Sequence, residues 1–149
     1  MRWYRVGRNI ERLVDGMSAN PTFDDLSPDQ QEVLCAEFLR TPMAGAHGLP
    51  TLASLTVPTG RTMRDIDIIG VTATGGQLVA QVTYSNPERV TPKVEALRRF
   101  LPESTCVLFC NCAMQQVYDG IILVPIRDVF NHFTADLLGK VWLERSFSI

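Results

Sequence analysis

No apolar run in this chain approaches the roughly 18 residues that a membrane span needs, and the amino terminus, MRWYRVGRNIERLV, lacks the apolar stretch of a signal peptide. These two absences predict a cytoplasmic protein with no membrane partner. Positive charge is not in excess either: the formal charge is −2 and the pI about 5.6, so no global field recruits nucleic acid, and any such contact must come from a local patch. Lysine is scarce, with Lys93 and Lys140 against twelve arginines. Paired metal-ligand spacing is lacking too. Cys35, Cys106, Cys110 and Cys112 do not form the doublets of a zinc site, and three of them fall in or beside the apolar run TCVLFCNCA, which predicts buried reduced thiols.

What is present is enough for one core. With 149 residues, 46% hydrophobic and 20% charged, the chain suits a single globular domain and is short for two. Residues 1–26 read as an amphipathic helix, with Trp3, Val6, Ile10, Leu13 and Val14 on one side and Arg2, Arg5, Arg8 and Arg12 on another, followed by a loop. The core spans 28–138, and 139–149 is a tail in which Trp142 packs.

The centre of the core is RDIDIIGVTATGGQLVAQVTYS, residues 64–85. It reads as two strands, DIDIIGV and QLVAQVTY, joined by a turn over Ala73-Thr74-Gly75-Gly76. An odd-length loop closed by Val71 and Gln77 places Asp67 opposite Gln81 and gathers Asp67, Gln81 and Thr83 on one face. Before the pair, Ser27 or Asp29 caps a helix over QEVLCAEFL that stops near Thr41-Pro42. A connector follows, with at most one short strand over 52–57, and His47 is a loop residue there. After the pair, Thr91 caps a helix with Pro92 in its first turn and Val94, Leu97 and Leu101 on its buried stripe; Pro102 ends it. STCVLFCNCA and DGIILVPI are buried strands. Ile126 to Leu138 is a closing helix that Gly139 terminates. A mixed sheet flanked by helices is the α/β arrangement this order implies.

Over about residues 28–133, this order and spacing resemble the PD-(D/E)xK nuclease-like superfamily, and within it the Mrr-like restriction endonucleases. The resemblance implies a restriction-endonuclease-like fold. It carries the helix glutamate onto Glu32, the metal-binding aspartate onto Asp67 and the second-strand position onto Gln81. It implies Mg2+ or Mn2+ as cofactor, DNA as substrate in defence or repair, and a homodimer or a subunit of a larger system. Asp65, two residues from Asp67, is a possible third carboxylate.

One motif position departs from the family. Where the family has lysine, this chain has Thr83. Phosphodiester hydrolysis needs an activated water and a counter-charge for the phosphate, and a threonine hydroxyl is uncharged and a poor base. Lys93 is the replacement the resemblance suggests, because related enzymes move this lysine to the following helix. Arg61 and Arg64 suit the role less, since arginine holds its proton. Three readings stay open at this point. They are a metal-dependent nuclease, a nuclease fold without hydrolysis that binds nucleic acid or protein, and an unrelated α/β domain in which Asp67 merely faces water at a strand end and Gln81 and Thr83 form a polar sheet face.

Overall fold

A computed structural model describes residues 26–57, 66–83, 88, 90–135 and 137–147. The amino-terminal helix over 2–14, Asp65, Arg61 and Arg64 lie outside the described residues. No helix among the described residues is long and apolar enough to cross a membrane.

Helix α1, Pro28–Arg40, starts where the local chemistry tells it to. Ser27 Oγ accepts from the Gln30 N–H at 3.3 Å and Gln30 Oε1 accepts from the Ser27 N–H at 2.9 Å, a reciprocal capping box that satisfies two otherwise orphaned donors. Pro28 costs nothing in the first turn, where its missing N–H has no partner to lose. The helix stops at Thr41, whose extended backbone is what the following Pro42 requires. Leu34, Cys35, Phe38 and Leu39 recur at helical spacing and are buried. Ser27→Ala is therefore expected to destabilise the domain by about 1 kcal/mol, measured as a shift in urea midpoint. An unchanged midpoint would mean the box contributes nothing in water.

A short helix α2, Pro42–Ala46, and β1, Leu52–Thr56, follow. His47 lies in the turn between them, and its Nδ1 bonds Gln115 Oε1 at 2.9 Å, while the Gln115 amide nitrogen donates back to the His47 carbonyl. Strands β2, Ile68–Thr72, and β3, Gln77–Val82, form the expected antiparallel pair with Val71 level with Gln77. Gly75, at φ +91°, makes the turn in a conformation that side chains resist, and the Thr72 hydroxyl accepts from the Gly76 N–H at 2.9 Å.

Helix α3, Val90–Arg98, returns the chain so that β4, Ser104–Cys110, runs parallel to β3; β6, Ile121–Pro125, runs parallel to β4. Together with β5, Gln116–Tyr118, these strands form one six-stranded mixed sheet in the order β1-β2-β3-β4-β6-β5. Helices cover both faces of its parallel centre, which is why β4 and β6 are nearly continuous apolar runs. On one face α1, α4 (Ile126–Thr134) and α5 (Leu137–Phe147) pack on Ile68, Leu78, Ala80, Val82, Phe109 and Val124. On the other, α3 packs Val94 and Leu97 on Val79, Cys106, Leu108 and Ile121.

Four features differ from the sequence reading. Thr91 lies inside α3, which ends at Arg98 before Leu101 is reached. Residues 42–46 are helical, and β5 is an added strand too short and exposed to show alternation. The closing segment is two helices, and Gly139 sits inside the second rather than ending the first. A Cβ at Gly139 would collide with the Phe133 carbonyl, so this glycine permits close approach of α5 to the end of α4. Residues 139–147 are consequently no tail, although Trp142 does pack, stacked on Phe133 at 4.8 Å. All four cysteines are free; Cys35, Cys106 and Cys110 are buried. Burial and the neighbouring Cys112 push the Cys110 thiol up to about 12.

Candidate functional site at the end of β3

The β2–β3 ladder runs as expected from Val71↔Gln77 to Ile68↔Ala80 and then stops. At Asp67 the chain bends, because Ile68 faces the α1 side of the sheet while Ile66, two residues earlier, belongs to the α3-side cluster. The expected pairing of Asp67 with Gln81 is corrected here. Asp67 straddles Gln81, its N–H donating to the Ala80 carbonyl at 3.1 Å and its carboxylate Oδ2 accepting from the Val82 N–H at 2.8 Å.

This bend creates a need that two side chains meet. In a strand, the N–H and C=O of one residue point to the same side, and those of Val82 point toward the place that β2 has left. Buried backbone groups without partners are costly. Asp67 Oδ2 takes the Val82 N–H, and Lys93 Nζ, reaching over from the first turn of α3, donates to the Val82 carbonyl at 2.6 Å. The ammonium also lies 2.9 Å from Asp67 Oδ2, with the two side chains only 15% and 16% exposed. Charge-assisted bonds of this length are the strong ones. One carboxylate and one ammonium thus stand in for a missing strand and for each other's counter-charge.

Glu32 lies on α1. The Cys35 thiol, one turn along that helix, is held well above its usual range, first by complete burial and then by the negative charges of Asp67 and Glu32. The fields of both carboxylates therefore fall on one buried thiol. Gln81 is on the other side of the sheet: it alternates with Val79 and is level with Leu108, both in the α3-side cluster. It is 3% exposed, and among the described residues its amide nitrogen has no hydrogen-bond partner. Gln81 thus lies on the α3 side of the sheet, from which Lys93 reaches Asp67, whereas Glu32 is carried by α1 on the opposite side. Thr83 is fully buried, and both its N–H and its hydroxyl donate to the Phe109 carbonyl, at 3.0 and 3.4 Å. Its hydroxyl proton is committed inside the protein.

Of the five residues singled out from the sequence, the structure joins Asp67 and Lys93 directly, keeps Glu32 on α1 over the opposite face, puts Gln81 on the α3 side and turns Thr83 inward. Val82, which supplies two backbone groups to the cluster, had no signal in the sequence, because a valine in an apolar strand announces only packing. Among the described residues no three His, Cys, Asp or Glu side chains gather into a metal-holding group. The oxygens that do lie together, Asp67 Oδ2 and the Val82 carbonyl around the Lys93 ammonium, are hard ligands of the kind magnesium and manganese prefer.

Compared with known protein families, curated proteins and solved structures, the chain matches none.

Proposed function

We propose that this domain is a restriction-endonuclease-like phosphodiesterase acting on DNA with magnesium or manganese, its motif lysine supplied from α3 by Lys93. The observation that carries the reading is the 2.9 Å contact between Lys93 Nζ and Asp67 Oδ2 at the carboxyl end of β3. A lysine ammonium is thereby returned to the aspartate beside which the family pattern would have put it, although position 83 is threonine. The parallel strands β3, β4 and β6 also end on this side, where open α/β sheets hold their ligands.

Asp67 is the residue that would hold the ion, with Glu32 the second carboxylate that the resemblance implies. When bound, it would supply an activated water and charge stabilisation at the phosphate. Lys93 offers its ammonium to a phosphate oxygen, giving the positive charge that Thr83 lacks. Cleavage of both strands of a duplex asks for two such sites, which favours a homodimer or a subunit of a larger assembly.

A second reading, the same fold without hydrolysis serving as a binding module, is favoured by one observation. Asp67 Oδ2 already accepts two bonds, and the pair already completes the Val82 backbone. Incubation with supercoiled plasmid in Mn2+ separates the two. Wild type is expected to nick, and Asp67→Asn to lose about 100-fold in rate. An intact plasmid with folded wild-type protein would leave the binding module as the reading.

A further inference from the structure

We infer that Lys93 is an internal cation holding the place of the divalent ion, so that metal binding at Asp67 displaces its ammonium from the Val82 carbonyl. The inference rests on the metal-dependent reading above and adds to it a regulation of the same site.

Lys93 Nζ is bonded to one carboxylate oxygen and one backbone carbonyl, at 2.9 and 2.6 Å. Hard divalent ions seek the same kind of oxygen donors. Two cations cannot share these oxygens, since their repulsion in a site only 15–16% exposed is weakly screened. Without metal, the ammonium already neutralises Asp67 and completes the Val82 carbonyl, which is why a carboxylate can rest among Ile66, Ile68 and Val82 at the sheet end. Entry of an ion therefore begins from a satisfied site and must first break two short bonds.

The lysine has the means to yield. Its charge rides on a flexible four-carbon stem, so it can swing from Val82 toward a phosphate while α3 stays packed through Val94 and Leu97. Released in this way, the ammonium becomes available to the substrate only when metal has taken its place. The same side chain would thus weaken metal binding and be needed for cleavage, two effects with opposite signs in one variant.

The experiment is a Mn2+ titration by calorimetry of wild type, Lys93→Met, Lys93→Gln and the double variant Asp67→Asn/Lys93→Met, each checked for folding by circular dichroism, with plasmid nicking in the same buffer. Lys93→Gln keeps a donor for the Val82 carbonyl without the charge, so it reads the competition even where Lys93→Met fails to fold. Both single variants are expected to bind Mn2+ about tenfold more tightly than wild type, and the double variant to lose that site. Binding equal to or weaker than wild type in the single variants, no binding by any protein, or retention of the site in the double variant would overturn the inference. Nicking is read separately. Wild type that cuts beside single variants that bind no tighter defeats the displacement alone, whereas tighter variants beside a wild type that never cuts defeat the nuclease reading alone.

A second measurement needs no variant. The chain has two lysines, so side-chain carbon signals of 13C-lysine protein report Lys93 and Lys140 separately. Saturation with Mg2+ is expected to move the Lys93 signal and leave Lys140 in place. An unmoved Lys93 signal with Mg2+ bound would overturn the inference.

Discussion

Asp67→Ala is expected to destabilise the domain by about 3 kcal/mol, well beyond a typical surface substitution. The loss has two parts. The Val82 N–H, 2.8 Å from Oδ2, is left without an acceptor on a buried strand, and the Lys93 ammonium, only 15% exposed, loses the carboxylate that balances its charge. Each unsatisfied group costs about 1–3 kcal/mol, with the charged one at the upper end. Asp67→Asn separates the parts, because its amide oxygen still accepts from Val82 while the counter-charge is gone. It is expected to cost about 1–2 kcal/mol. Urea unfolding at constant slope reads both. Equal losses in the two variants would mean that the Val82 bond has no weight, and losses below about 0.5 kcal/mol in both would remove the pair from the fold's stability altogether.

Phe38→Ala should cost still more, about 3–5 kcal/mol, in a domain whose whole stability is of the order of 5–15 kcal/mol. The ring is completely buried and meets Phe109, His47 and His132 edge-on, with centroids 6.3, 5.4 and 5.7 Å away. It thereby ties α1 to β4, to the turn after α2 and to α4 at once. Edge-to-face pairing adds to the area it buries. Val33→Ala, on the exposed face of α1, is the comparison: it should stay within about 0.5 kcal/mol of wild type. Thermal melts of the two variants check the contrast, and similar midpoints would contradict the packing described.

Much of the framework could be read from local chemistry. Ser27-Pro28 with Gln30 marks a helix start by spacing alone, and Gly75 between alternating strands marks the hairpin and its register at Val71 and Gln77. The buried parallel strands announce themselves as apolar runs. Trp142 was expected to pack and does. What could not be read depends on where elements meet. Gly139 looks like a helix terminator until α4 and α5 are placed together, whereupon it is a point of backbone contact with Phe133. Asp67 continues the strand alternation in sequence. Only the bend between Ile66 and Ile68 carries its carboxylate past Gln81 to Val82, and period-two reasoning has no term for a bend.

The candidate site divides the same way. The family resemblance singles out Asp67 and Lys93, and their contact is in the structure, but the reason for that contact, the vacated hydrogen bonds of Val82, belongs to tertiary geometry. Gln81 and Thr83 share a strand face with each other, as alternation requires. Glu32 sits on a helix of the opposite layer, and Thr83 turns its hydroxyl to Phe109, which no spacing rule could anticipate. Sequence spacing tells which residues share a strand face; it does not tell which layer a helix will cover.

The measurement that bears most directly on Lys93 as the relocated lysine is the nicking rate on supercoiled plasmid at saturating Mn2+, wild type against Lys93→Met, with both proteins shown to be folded. The account predicts cutting by wild type and a loss of about 100-fold in the variant. Equal rates, or no cutting by either protein, would contradict it and leave the Asp67–Lys93 pair as a closure for the backbone at the end of β3.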